Sequence, residues 1–197
     1  MVRESILKKL RDALLNEYDH RCAVCGGDRP HIHHIDEDAT HNELENLLPL
    51  CPNCHIRDQH NPTRKIDTLK LKMFRKFKDP LILRPQFHPI YIRQMFLASV
   101  ENGDDDTTKL QDQANELIEF ISALEMGEFY SKRLAELIGP LRRGFIMFLG
   151  SDSGPDLQYE QQRRAANRDY RNKLIANRDS AQVLLVELLR YQSWINT

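Results

Sequence analysis

The sequence predicts a mostly α-helical protein with a small β element in its first third. Two observations carry this. Apolar residues recur at helical spacing along most of the chain, and Asn-Gly, Asp-Pro and Gly-Pro breaks cut it into helix-length pieces. The exception is His31-Ile32-His33-His34-Ile35, whose β-branched residues suit a strand.

Taken in order, a helix fits Glu4 to Tyr18, with Ile6, Leu7, Leu10, Ala13 and Leu14 at helical spacing. A Cys/His segment extends from there to about Asn61, where Asn61-Pro62 breaks the chain. A second amphipathic helix fits Arg64 to Lys78, with Ile66, Leu69, Met73, Phe74 and Phe77 on its apolar face, and Asp79-Pro80 stops it. These elements form a first domain, residues 1–80. The second, 81–197, reads as helical throughout. Its helices fit Pro89 to Val100, Thr108 to Met126, Glu128 to Ile138, Leu141 to Leu149 and Asp156 to Trp194. The last carries a heptad-like seam of Leu174, Ala181, Leu188 and Ile195, with Leu184 and Tyr191 between them. That seam suits an intrachain bundle core first, and a homodimer or larger assembly second. Phe145 to Leu149 reads as core, and Asp104 to Asp106 as a loop before a helix N-terminus.

Composition sets broad limits. The chain has 197 residues, 41% hydrophobic and 29% charged. That excludes a disordered or collagen-like chain. No apolar run reaches membrane-spanning length, and Arg3, Glu4, Lys8 and Lys9 interrupt any signal-peptide core, so a cytoplasmic protein is expected. The net charge of -1 hides two basic stretches. Arg64 to Lys78 has seven basic residues and one acidic, a net of +6; Gln161 to Arg178 has six and one, a net of +5. The first makes Arg64, Lys65, Lys72, Arg75 and Lys76 candidates for contact with nucleic-acid phosphates.

All four Cys fall within 33 consecutive residues, and seven of the eight His lie between positions 20 and 60. Cys22-x-x-Cys25 and Cys51-x-x-Cys54 are two knuckles with 25 residues between them. Four thiolates complete a closed tetrahedral site, which is structural and holds Zn²⁺. Gly26-Gly27 suits the tight turn after the first pair. A zinc staple does not need the histidines. On a strand His33 and His34 point to opposite faces, so they should do different work. Pro52 suits the first turn of a helix, which would fix His55 beside the zinc and let it face that strand.

The pattern Cys22-x2-Cys25, His33-His34-Ile35, Asn46-Leu47, Cys51-Pro52-Asn53-Cys54-His55 resembles the HNH endonuclease family over about forty residues. The resemblance implies a ββα-metal domain, a two-stranded hairpin and a helix around one catalytic divalent ion, steadied by a four-Cys zinc. The fold class is then mostly α with a small β-hairpin, the nuclease domain being followed by an α-helical accessory domain. It implies that His33 and His55 ligate the catalytic ion, that His34 is the general base, and that Asn46 holds the loop and orients the base. The ion would be Mg²⁺ or Mn²⁺, with Ni²⁺ or Zn²⁺ as alternatives because two imidazoles favour borderline metals. DNA is the implied substrate, and the products carry 5′-phosphate and 3′-hydroxyl ends. A nuclease subunit of a prokaryotic anti-phage or restriction system fits the same resemblance. The chain departs from the family at Asp36-Glu37-Asp38 and Ala39-Thr40-His41, where many members have Pro and a Gly pair. Those carboxylates read first as loop solvation, with a further metal ligand or repulsion of the DNA backbone as the alternatives. His60 lies five residues past His55, off its face on a regular α-helix, and reads first as a surface residue near the Asn61-Pro62 turn and second as a third metal ligand. His31 and His41 read as exposed or supporting residues. Two other functions fit the same sequence: a zinc-stabilised nucleic-acid-binding module without catalysis, and a subunit active only with a partner protein.

Overall fold

The structure, a computed structural model, describes residues 6–100, 107–140 and 157–195, without the side chains of 157–160 and 194–195. The acidic run at 104–106, the helix expected at 141–149 with its apolar cluster, and the loop at 150–155 lie outside these residues. The chain divides into two compact units, 1–84 and 85–197.

In the first unit, α1 (Lys8–Glu17) precedes a two-stranded antiparallel sheet. Strand β1 (His31–His34) pairs with β2 (Leu47–Leu50) in the register His31↔Leu50, Ile32↔Pro49, His33↔Leu48, His34↔Leu47. Pro49 is tolerated because the sheet has only two strands, and its carbonyl accepts the Ala23 N–H at 2.7 Å. Cys51 comes directly after β2, and a π-helical segment, Asn53–Gln59, carries the second knuckle onward. Helix α2 (Thr68–Phe77) starts later than the periodicity suggests. Asp67 caps it, accepting from the N–H groups of Leu69 and Lys70, and Lys78 ends it at φ 51°. A 3₁₀ turn, Pro80–Leu83, buries Ile82 and packs on α2, so the unit runs on to Arg84. Leu14, Ile35, Leu47, Leu48, Leu50, Leu71, Phe74 and Ile82 make the core.

One basic residue expected to face DNA does something else. Arg75 is buried, because it falls four residues after Leu71 on the inward face of α2. Its guanidinium grips the Glu17 carboxylate with two hydrogen bonds of 2.8 and 3.0 Å, and donates to the Leu44 carbonyl and the Tyr18 hydroxyl. That correction removes Arg75 from the nucleic-acid face and makes it the tie between α1 and α2. Arg75→Ala should cost about 3 kcal/mol, since it strands a carbonyl and a carboxylate around a vacated buried site. Urea denaturation of the two proteins checks this.

The second unit is helical. It contains α3 (His88–Gln94), α4 (Phe96–Ser99), α5 (Thr107–Ser122), α6 (Gly127–Ile138) and α7 (Leu157–Ile195). Gly127 is required where α5 turns into α6, because a Cβ there would lie 2.0 Å from the Ile121 carbonyl oxygen. The seam on α7 is buried at Leu174, Ala181 and Leu188, and it packs against α5 and α6. Leu185 rather than Leu184 completes it, so the seam runs through 181, 185 and 188. Tyr170 is buried with its hydroxyl donating to the Ile138 carbonyl at 2.9 Å. Lys173 donates to the Gly139 carbonyl at 2.8 Å, so the two side chains satisfy the C-terminal end of α6. Among the described residues no helix is long and apolar enough to cross a membrane.

Candidate metal centre

The knuckles meet as the spacing requires. The ligand sulfurs of Cys22, Cys25, Cys51 and Cys54 all lie within 4.8 Å of one another, and none is in a disulfide. Tetrahedral zinc with bonds near 2.3 Å separates its sulfurs by about 3.8 Å, and the Cys25–Cys51 pair stands at 3.5 Å. Gly26, at φ 72°, adopts the left-handed conformation that lets its N–H reach the Cys22 carbonyl at 2.9 Å. A Cβ on Gly27 would come within 3.3 Å of the Cys25 sulfur, so the second glycine keeps the sulfurs' cradle clear. The Cys54 backbone N–H holds the Cys51 thiol down at about 7, whereas burial pushes Cys25 and Cys54 up. A bound cation would favour all four thiolates together, and the donor set fits zinc.

Beside this cluster stand the histidines. His33 and His34 are both buried and occupy opposite faces at the end of β1. The His33 ring lies 5.3 Å from that of His55 and 6.4 Å from that of His60; the His55 and His60 rings are 4.9 Å apart. Imidazoles bound to one ion place their ring centres about 5 Å apart. Two of the three separations match, and the third is wider. Among the described residues, only the four cysteines bring all their ligand atoms within 4.8 Å. His33 Nε2 is buried without a hydrogen-bond partner, which suits a nitrogen that waits for a cation.

His60 is the residue that α-helical spacing misses. Residues 53–59 form a π-helix, and the His60 N–H returns to the His55 carbonyl five residues back. Residues five apart therefore share a face, and His60 turns toward His55 while remaining exposed. The buried Gln59 anchors the chain beyond the π-helix: its carboxamide oxygen accepts from the Ile66 N–H at 2.9 Å. Exposed Lys65 pairs there with Glu37.

Asn46 is buried and holds the loop between the strands. It donates to Asp36 at 2.8 Å and to the His41 carbonyl at 3.0 Å, and accepts from the Asp36 N–H. None of these bonds goes to His34. Asn42 bonds His34 instead, with its side-chain oxygen 3.0 Å from His34 Nε2. The carboxylate expected to be loop solvation, Asp36, is instead the loop's clamp. Burial opposes its charge, but hydrogen bonds from Asn46 and His41 outweigh that and hold it at about 2. The same bond to Asp36, with help from Glu43, raises the His41 pKa. His31 is exposed with its ring 5.9 Å from His55, and His20 bonds Asn16. Of the basic candidates, Arg64, Lys65, Lys72 and Lys76 are exposed; Arg64 also lies 3.7 Å from Asp58.

Burial pushes His33 down from 6.5 to about 4, reinforced by the neighbouring His55 and His60. The folded protein thus keeps His33 neutral where the unfolded chain protonates it. The stability this linkage supplies is intact above about pH 6.5 and is lost as pH falls toward 4. Denaturation midpoints from pH 7 to 4 should fall more steeply for the wild type than for His33→Gln. Parallel slopes would contradict the assignment.

Comparison with protein-family models, curated proteins and solved structures returns no match for this chain.

Proposed function

We propose that the first unit is a metal-dependent endonuclease of the HNH type that hydrolyses DNA phosphodiester bonds. The observation that carries this reading is the division of labour at the end of β1. His33 faces His55 and His60, while its neighbour His34 faces Asn42. A two-histidine or three-histidine set would hold a divalent cation, and that cation supplies positive charge to the phosphate and the departing 3′ oxygen when bound.

The chain's own residues do the rest. With the Asn42 oxygen against Nε2, His34 carries its proton on that nitrogen and leaves Nδ1 as the base toward water. Asn42 is therefore the positioning residue for His34. Asn46, through Asp36, keeps the loop that carries Asn42 in place. Exposed Arg64, Lys65, Lys72 and Lys76 supply phosphate contacts that steer the backbone.

The test is supercoiled plasmid incubated with purified protein and Mg²⁺, Mn²⁺, Ni²⁺ or Zn²⁺. Nicking that a chelator stops supports the proposal. DNA binding without cleavage under every metal supports the silent module instead. Cleavage that appears only with a second protein supports a partner-dependent subunit, which fits the nuclease of a prokaryotic defence system.

A further inference from the structure

We propose that a cavity in the helical unit, walled by Thr107 and by Gln161, Arg164, Asn167, Arg168 and Arg171 of α7, binds the phosphates of a nucleotide. The cavity has a volume of about 640 Å³, within the roughly 300–1,000 Å³ of small-molecule sites. Its lining is unusual for such a site. Among the described residues, three guanidiniums, two carboxamides and a hydroxyl line it. An anion with several oxygens gains bidentate, charge-assisted hydrogen bonds from the exposed Arg164 and Arg168.

The arrangement stems from helical geometry. Positions 161, 164, 168 and 171 are spaced three, four and three apart, so they share one face of α7 over about 15 Å. Arginines three and four apart repel one another, and a bound polyanion relieves that. Elsewhere on the helix Arg178 has Asp179 within 3.8 Å. Arg164 and Arg168 are exposed, and their side chains have no ion pair or hydrogen bond among the described residues. The carboxamides of Gln161 and Asn167 can both donate and accept, which suits a sugar hydroxyl beside the phosphates.

The phosphates can belong to a free nucleotide or to a nucleic-acid strand, and calorimetry on the full chain without added divalent metal separates the two. The probes are ATP, inorganic triphosphate and a short single-stranded DNA oligonucleotide. The variants are R164Q/R168Q and, on α6, K132Q/R133Q, which removes the same charge from exposed residues paired with Glu128 and Glu136. Binding that R164Q/R168Q weakens about a hundredfold, and K132Q/R133Q leaves alone, supports the site. ATP and triphosphate binding then identify a free nucleotide; binding of the oligonucleotide alone identifies a strand. No probe binding tighter than about 1 mM, or equal loss in both variants, would overturn the proposal. Heat of binding is the readout, so the outcome does not depend on whether the first unit cuts DNA.

Discussion

Cys51→Ser is expected to unfold the first unit. That unit has a small core of mainly aliphatic residues around a two-stranded sheet, and a lone hairpin is marginal at best. Structural zinc contributes roughly 10–16 kcal/mol of apparent folding free energy in zinc-finger peptides, as much as the roughly 5–15 kcal/mol that typically stabilises a domain. Cys51 joins β2 to the π-helical segment, so one weakened ligand releases the elements that carry His34 and His55. Zinc content should fall from one ion per chain toward none. Amide exchange should lose protection at Leu47, Leu48 and Leu50 while α5, α6 and α7, with their own core, keep theirs. A folded, zinc-free variant with intact β-strand protection would show that the cysteines do not hold the unit together.

His34→Ala is expected to lower cleavage by about 10²- to 10⁴-fold, the usual contribution of a general base. Metal binding should be unchanged, because His34 hydrogen-bonds Asn42 rather than facing His55. Added imidazole should restore part of the rate, since it supplies the missing base. Asn42→Ala should lower the rate by less, with metal affinity unaltered, because the base remains but its ring is free to turn. Cleavage by His34→Ala at the wild-type rate would remove His34 from the mechanism.

The cysteine knuckles, most helices and the opposed faces of His33 and His34 are legible in the sequence because they rest on short-range spacing. Two thiols two residues apart reach one ion whatever surrounds them, and adjacent strand residues must diverge. The misses arise where local geometry departs from the regular pattern or where a residue's partner is distant in sequence. α-Helical spacing puts His60 off the site, and the π-helical turn at 53–59 changes that spacing to five. Arg75 counts toward a basic surface by composition, yet its partner Glu17 lies 58 residues away and no local rule points to it. Its position four residues after Leu71 is the available signal. Asp36 and Asn42 look like ordinary loop polarity. Their roles depend on Asn46 and His34 being brought against them by the strand register.

The histidines at the end of β1 and in the π-helical turn are proposed to form a one-metal phosphodiesterase site. Cleavage of end-labelled duplex DNA, first stripped of added metal and then restored with Mn²⁺ or Mg²⁺, tests it most directly. Cuts are expected only after metal is restored, with 5′-phosphate and 3′-hydroxyl ends, and none from His33→Ala/His55→Ala. Equal cutting by that double variant, or cutting that proceeds without metal, would contradict it.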